Sequence, residues 1–273
     1  PLLNLQGGYD LKNHQTNFQS SIGFWGDGTI ITPKLYCSLN FLTAVSSFPT
    51  YIDTFIKRTG VVPGLGKAYG SDNVYSFQYF SGYLSYSPNK IFNFQIGKDK
   101  NFFGDGYRSM FLSDVSNSYP FLKISTTVWK IKYVYLFAEF KDITALSGLK
   151  SDFKNKFGSF HYLSWNVTKR LTLGLFESVI WQGADENRSR SFDVNYLNPV
   201  IFYRPVEYSL GSSDNVLMGL SFKEKVAKKQ HFYGQFMIDE FLLKEMGADV
   251  FHDLFPNTNR HWGWWANKYG VQL

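Results

Sequence analysis

Apolar and polar residues alternate along much of the chain, as they do in β-strands with one apolar face. Between residues 91 and 98, for example, Phe92, Phe94 and Ile96 share one face, and the residues between them are polar or glycine. The same alternation predicts strands at residues 35–44, 122–128, 215–223, 231–242 and 268–273. No helical periodicity extends over a comparable length. The sequence therefore predicts an all-β protein with eleven or twelve strands.

Short and long connections alternate between the predicted strands. The short turns are residues 87–89, 129–130, 167–170 and 224–230, and the long connections are residues 99–120, 142–156, 182–212 and 244–261. Transmembrane β-barrels have this asymmetry, with short periplasmic turns and longer extracellular loops. Strands of about ten residues also match the roughly 9–11 residues needed to cross a bilayer. We expect a transmembrane up-and-down antiparallel β-barrel formed by residues 1–273 as one domain, with long extracellular loops folding over or into the lumen.

A soluble β-sandwich would produce the same alternation, because its apolar faces pack against each other. Three features favour the barrel. The polar face of the predicted strands carries Asn, Gln, Ser, Thr and Gly, as a wet lumen would, and aromatic residues crowd the strand ends, as in interfacial girdles. The loops are also longer than a sandwich needs.

Composition narrows the possible functions. Aromatic residues make up 19% of the chain, charged residues only 18%, and the net charge is +6. No basic run interleaved with aromatics predicts nucleic-acid binding; the densest basic cluster, which contains Lys223 and Lys225, is predicted in a turn. The single cysteine, Cys37, excludes an internal disulfide and any cysteine-based metal site. No apolar run approaches the roughly 18 residues of a spanning helix.

Candidate chemistry is sparse. Ser159 and His161 share one face of a predicted strand, with Asn166 nearby, and an outer-membrane phospholipase could use a Ser–His–Asn set. This spacing is common by chance, however, and the chain has no Gly-x-Ser-x-Gly elbow. The simpler interpretation is two polar strand residues. The histidines show no metal-ligand spacing, so we predict no catalytic residue, no metal site and no cofactor.

Two long loops are dense in functional residue types. The first contains Gly104, Gly106 and Arg108, and we expect it to fold inward with Arg108 paired to Asp105, Asp114, Glu207 or Asp214. The second, at residues 182–212, is too apolar to extend into water, and it is either a structural plug held by Arg204 or a saccharide-binding rim. The predicted ligand-binding set, for a saccharide or a lumen network, is Asp105, Tyr107, Arg108, Asp114, Asn198, Arg204, Asp214, Asn215, Trp264 and Trp265.

Several motifs resemble a known family. The first is Gly97-x-Asp99 followed by Phe103-Gly104-Asp105-Gly106-Tyr107-Arg108-Ser109 and Leu112-Ser113-Asp114. In order along the chain come Asn195-Tyr196-Leu197-Asn198-Pro199 with Tyr203-Arg204-Pro205, then Gly211-Ser212-x-Asp214-Asn215, and Tyr233-Gly234-Gln235-Phe236 with Asp239-Glu240-Phe241. Together they resemble the capsule-assembly Wzi family of outer-membrane barrels, in its RemB-like branch from gliding bacteria.

The resemblance implies a surface-exposed outer-membrane barrel without enzymatic activity. Its expected partners are outer-membrane lipid and either surface (capsular) polysaccharide or subunits of a type IX secretion or gliding complex. In the second case the protein would be an accessory structural subunit with no sugar ligand. Family barrels have more strands than we count here, and an open sheet edge is not viable in lipid. We therefore expect the chain to be a fragment, incomplete at its C-terminus, or the barrel to close with other segments.

Overall fold

The computed structural model describes residues 1–143 except 12 and 31, residues 153–185, 188–189 and 196, residues 215–239 except 228 and 229, and residues 270–272. The helix α1 is Thr50–Thr59. The strands are β1 (Leu2–Asp10), β2 (Gln15–Thr29), β3 (Leu35–Ser47), β4 (Val61–Val62), β5 (Gly66–Lys67), β6 (Tyr69–Ser71), β7 (Val74–Tyr86), β8 (Phe92–Asp99), β9 (Tyr119–Val128), β10 (Ile131–Asp142), β11 (Lys154–Asn166), β12 (Leu171–Gln182), β13 (Ala184–Asp185), β14 (Arg188–Ser189), β15 (Asn215–Ala227), β16 (Gln230–Asp239) and β17 (Gly270–Gln272).

One antiparallel sheet dominates the fold. Its strand order is β1-β2-β3-β7-β8-β9-β10-β11-β12-β15-β16-β17, and β6 adds to it beside β7. Each strand of this path pairs with the one before it in the chain, apart from the short hairpins β4–β5 and β13–β14, which lie outside it. The predicted all-β, up-and-down antiparallel architecture is thus confirmed. Within the described residues no pairing joins β1 to β17.

The sheet has two unlike ends. At the end that we call the short-turn end, tight turns join β7 to β8, β9 to β10 and β11 to β12. At the opposite, long-connection end, residues 48–73 join β3 to β7 and residues 100–118 join β8 to β9; β10 also ends there, and β11 begins there. The connection at residues 48–73 was not foreseen from sequence, but it adds to the predicted asymmetry. Strand β15 continues past Lys223, the last residue of the predicted strand, so the predicted place of Lys225 in a turn was wrong.

The helix α1 was not predicted from the sequence, in which no helical periodicity extends over a length comparable to the strands. Asp53 in its first turn and Lys57 and Arg58 in its last turn have the charges that the helix dipole favours at those ends. Gly60 ends the helix in the left-handed conformation, with φ of 71°. At ten residues, α1 presents too few turns for a periodic signal between two strands, and Ile56 is its only fully buried side chain.

The two faces of the sheet differ in chemistry. We call the face carrying Phe92, Phe94 and Ile96 the outward face, and strand pairing extends it to Leu84 in β7 and Phe222 in β15. Its exposed large apolar side chains include Leu3, Leu5, Ile22, Phe24, Leu39, Val45, Phe80, Leu84, Phe92, Phe94, Ile96, Val128, Leu173, Leu175, Leu220, Phe222, Phe232 and Phe236. The opposite, inward face carries polar pairs, such as Asn93 Nδ2 donating to Ser85 Oγ at 2.7 Å.

Two segments from the long-connection end cover parts of the inward face. The helix α1 and the β4–β5 hairpin pack over Ala44, Tyr75 and Phe77, which point inward from β3 and β7. Residues 100–118, which we call the crossing loop, run from β8 over the inward face of β9–β12 as far as β15 and β16. Two buried clusters lie beneath these segments, and a third lies on the outward face of β10–β12 and β15, around Tyr196.

Candidate functional site

The crossing loop is held against the sheet by stacked aromatic rings. Phe111 lies over Phe176 with ring centroids 4.6 Å apart and planes 5° from parallel, and Phe103 stacks on Tyr162 at 5.5 Å. Phe103, Phe111 and Phe176 are buried in one cluster with Leu136 and other residues of β9–β12. Such pairs contribute packing beyond simple burial. The prediction that this loop folds inward is confirmed.

Gln235 of β16 fixes the far end of the crossing loop. Its Oε1 accepts a hydrogen bond from the Met110 backbone N–H at 2.8 Å, and its Nε2 donates to Ser109 Oγ at 3.0 Å. Gly104 and Gly106 have φ of +117° and +113°, which side chains disfavour. A Cβ at Gly104 would also overlap the Gln235 side chain, and one at Gly106 the Tyr233 ring. Glycine is required there on both counts.

The expected pairing of Arg108 with Asp105 or Asp114 is wrong, and the other two candidate acids, Glu207 and Asp214, lie outside the described residues. Arg108 is exposed, and no carboxylate of the described residues lies within 4.0 Å of it; its guanidinium stands 5.6 Å from the ring centroid of Tyr107, itself 78% exposed. Asp105 forms the ion pair instead, with its Oδ1 3.3 Å from Lys223 Nζ. The loop turns at Gly106, so Asp105 before it contacts β15, whereas Tyr107 and Arg108 after it are exposed to solvent.

The other residues of the predicted set are not gathered with Asp105. Asp114 is exposed in the crossing loop, and Asn215 is exposed at the start of β15. Burial lowers the pKa of Lys100, while the charges of Asp114 and Asp99 act in the opposite direction. Six predicted residues lie outside the described part of the chain: Asn198, Arg204, Glu207, Asp214, Trp264 and Trp265. The alternatives for the loop at residues 182–212, a structural plug or a saccharide-binding rim, therefore stay predictions.

A groove that the sequence did not predict opens on the inward face at the short-turn end. We call it the basic groove. Its volume of about 630 Å³ falls in the range of small-ligand sites, roughly 300–1,000 Å³. It is lined by Asp105, Lys130, Ser164, Asn166, Thr168, Lys169, Arg170, Thr172, Lys223, Lys225 and His231. Five of these side chains are cations and one is a carboxylate, so the lining carries a net charge of +4 with His231 neutral.

Strand alternation and turns bring these cations together. Lys223 and Lys225 point inward from β15, whereas Glu224 between them points outward. Lys169 and Arg170 come from the β11–β12 turn and Lys130 from the β9–β10 turn. Apart from the Lys223–Asp105 pair, no groove cation has a carboxylate within 4.0 Å among the described residues. His231 Nδ1 is shielded from solvent and has no hydrogen-bond partner among the described residues.

Ser159 and His161 are buried on the outward face, under the backbone of Tyr196. Ser159 Oγ donates to the Tyr196 carbonyl at 2.9 Å, and Tyr135 Oη donates to the same oxygen at 3.1 Å. His161 Nδ1 lies 3.0 Å from Tyr133 Oη and 3.9 Å from Glu177 Oε2. Ser159 and His161 are both 0% exposed. The hydrogen bonds from Ser159 and Tyr135 fasten Tyr196 to the sheet.

Sequence comparisons add no assignment: no protein-family model matches the chain, and no curated protein matches it significantly. In the part of the chain that the structure describes, no cluster of three or more His, Cys, Asp or Glu residues is arranged to hold a metal ion. No helix among those residues has the length and apolar character to span a membrane.

Proposed function

We propose that this protein is a non-enzymatic outer-membrane β-barrel, exposed at the cell surface, that associates with or anchors surface polysaccharide in a gliding-motility setting. The observation that carries the proposal is the outward face, where large apolar side chains of β1–β3, β7–β9, β12, β15 and β16 are solvent-accessible. Soluble monomers rarely expose contiguous apolar patches beyond a few hundred Å². An apolar band outside and polar residues inside is the arrangement of membrane barrels.

Strand length and the unlike ends support the same proposal. Strands β9, β10 and β12 contain 10, 12 and 12 residues, which is enough to cross a bilayer when tilted. The crossing loop fills part of the inward side, as expected for a surface barrel whose lumen is plugged. Polysaccharide association is supported by the family resemblance and by the exposed Tyr107–Arg108 pair, because an aromatic ring and a guanidinium fork suit sugar C–H faces and polar groups.

The runner-up is an accessory structural subunit of a type IX secretion or gliding complex. Affinity purification from detergent-solubilised outer membranes distinguishes the two functions. Retained glycan, detected by carbohydrate analysis after washing at high salt, is the expected result. Co-purification of stoichiometric protein subunits without glycan would favour the structural role. Recovery of the protein from the soluble fraction, without detergent, would contradict both.

The non-enzymatic assignment has its own test. We expect Ser159→Ala to leave any lipid hydrolysis by the purified protein unchanged, because Ser159 Oγ is fully buried and donates to a backbone carbonyl. Hydrolysis of a phospholipid or short-chain ester is measured for the wild type, Ser159→Ala and Ser164→Ala, a second strand serine as control. An esterase activity abolished by Ser159→Ala alone would contradict the assignment.

A further inference from the structure

We propose that the basic groove is the docking site for an acidic segment of a periplasmic protein. In the proposed barrel the short turns lie on the periplasmic side, and the groove opens among those turns. The inference rests on this membrane placement, which is part of the proposed function, and it is independent of polysaccharide binding at the surface. It gives the protein a second contact, at the end opposite to the cell surface.

The charge of the groove selects an anion. Four of its five cations have no carboxylate within 4.0 Å among the described residues: Lys130, Lys169, Arg170 and Lys225. All four are exposed, so an incoming group can reach them. Clustered charges of one sign in a cleft focus the potential and raise the local concentration of oppositely charged ligands. Arg170 can also hold a carboxylate with two parallel hydrogen bonds.

The cations form a row, which fits an elongated ligand with several charges. Lys130 lies in the turn before β10, and Lys225 lies on β15, three strands further along the sheet. Neighbouring strands are about 4.8 Å apart, so the row is on the order of 15 Å long. An extended peptide of about five residues has that length. A single small anion would contact only one part of the row.

The uncharged lining favours a peptide over other polyanions. Apart from His231, it consists of hydroxyl and amide side chains, which can bond to peptide N–H and C=O groups: Ser164, Asn166, Thr168 and Thr172. Among the described residues, no Phe, Tyr or Trp lines the groove. It therefore lacks the aromatic surfaces on which nucleic-acid bases stack and against which the C–H faces of sugars pack.

Asp105 of the crossing loop already makes a contact of this kind at the β15 end of the row. Its Oδ1 lies 3.3 Å from Lys223 Nζ, and it is the only acid in the lining. A carboxylate on a peptide segment thus occupies one cation of the groove. A carboxylate of the partner would compete with Asp105 for Lys223, so removing the Asp105 charge should strengthen the binding of the partner.

The binding test uses the full chain in detergent. Isothermal titration compares a hexaglutamate peptide with blocked ends, the matching hexaglutamine, oligogalacturonate with the same number of carboxylates, and inorganic phosphate. We expect hexaglutamate to bind most tightly, with an affinity that falls steeply as salt rises, because screening weakens exposed charge contacts. Equal binding of hexaglutamine would show that charge is not recognised. Tighter binding of oligogalacturonate would indicate a glycan site, and equally tight binding of phosphate a small-anion site. Each of these three results would overturn the inference.

Matched variants locate the binding. Arg170→Ala combined with Lys225→Ala should weaken hexaglutamate binding by about tenfold or more, since hydrogen bonds to charged groups are worth at least that factor. Lys34→Ala combined with Lys90→Ala removes two exposed cations from turns at the same end but outside the groove, and should leave the affinity unchanged. Asp105→Asn should tighten binding by up to about fivefold, as the loss of a competing exposed ion pair permits. Equal affinities of the two double variants would overturn the inference.

Cysteine labelling in cells tests which side of the membrane the groove faces. Lys90→Cys in the β7–β8 turn and Tyr51→Cys on α1, at the opposite end, are each made together with Cys37→Ser. A membrane-impermeant maleimide should label the Tyr51→Cys variant in intact cells, and the Lys90→Cys variant only after the outer membrane is permeabilised. Labelling of the Lys90→Cys variant in intact cells would place the groove at the surface and overturn the inference.

The inference and the proposed function fail differently. If the protein retains surface polysaccharide and the Lys90→Cys variant is shielded in intact cells, but hexaglutamate does not bind, the inference fails and the proposed function stands. If the protein is recovered from the soluble fraction without detergent, the proposed function fails, and the periplasmic docking site fails with it.

Discussion

Two neighbouring residues of β15 summarise the difference between the faces of this sheet. Leu220 points outward and is 54% exposed, whereas Ser221 points inward, is 4% exposed and lies 3.1 Å from Tyr162 Oη. A soluble protein would bury the leucine and hydrate the serine. The order is inverted here, and it is inverted repeatedly along the sheet. The outward face is covered around Tyr196, where a buried cluster lies on β10–β12 and β15. Elsewhere it exposes large apolar side chains, and we propose that lipid contacts them.

The largest effect should come from the contact that fastens the crossing loop to the inward face. Phe111→Ala removes the ring stacked on Phe176, and truncating a buried Phe typically costs about 3–5 kcal/mol. Chemical denaturation in detergent would measure the loss, and limited proteolysis would detect a loosened loop. Tyr107→Ala, in the same loop but exposed, should change stability by less than about 0.5 kcal/mol. Equal effects of the two changes would mean that the loop is not seated by its buried rings.

The outward face should respond next most strongly. Leu220→Arg places a charge in the middle of the apolar band, which costs about 2–4 kcal/mol at the midplane of a membrane barrel. Folding into lipid vesicles, followed by urea titration, measures this cost. Val115→Arg is the matched control, because Val115 is similarly exposed but lies in the crossing loop. A Leu220→Arg variant that folds normally in water without detergent would remove the basis for the membrane assignment.

A smaller effect is expected from the helix that covers the other part of the inward face. Asp53 of α1 accepts hydrogen bonds from Tyr75 Oη at 2.6 Å and Lys57 Nζ at 2.7 Å. Burial alone would raise the pKa of Asp53, but these hydrogen bonds outweigh it and lower the pKa below its ordinary 3.8. The stabilisation is thus fully present above pH 3.8 and is lost as the pH falls through the folded-state value.

Asp53→Asn should therefore lower stability near neutral pH and flatten its dependence on pH in the acid range. Thermal unfolding between pH 2 and pH 7, on the order of one point per half unit, would show the difference. Asp72→Asn, at an exposed position of the same connection, serves as the control. A wild-type acid dependence that persists unchanged in Asp53→Asn would show that other carboxylates are responsible.

The smallest effect should come from Arg108. Since its side chain is exposed and has no carboxylate within reach among the described residues, Arg108→Ala should shift the free energy of unfolding by no more than about 0.5 kcal/mol. The earlier expectation of a buried ion pair predicted about 3–5 kcal/mol. Denaturant titration separates these outcomes clearly, and a loss in the larger range would restore the paired-arginine interpretation.

Periodicity made the sheet predictable because alternation is a local property of each strand. It located β3, β8, β15 and β16 to within a few residues. The inward fold of the crossing loop followed from its glycines and charges. Its partners did not, because Gln235 and Lys223 are more than a hundred residues away in sequence, and no local pattern specifies which strand a loop will reach.

The basic groove escaped prediction for a similar reason. Its cations come from two turns and β15, and only the Lys223–Glu224–Lys225 alternation was visible in one stretch of sequence. That alternation places both lysines on one face, which was the available signal, but the segment was interpreted as a turn. Asp105 and Asn215 were both predicted as ligand-binding residues, but only Asp105 lines the groove. The prediction selected them from sequence motifs, which do not show where a residue lies along its strand.

The hydrogen bond between Met110 and Gln235 also has a consequence for the order of folding. It joins residues 125 positions apart, so the end of the crossing loop at Ser109 and Met110 cannot dock fully until β16 has been added to the sheet. Contacts of such long sequence separation form slowly, because the intervening chain must be ordered first. The loop should therefore close last, after the strands have assembled one by one. Docking of the loop would then mark the end of folding. The time at which residues 100–118 become resistant to protease during refolding would measure when that final step occurs.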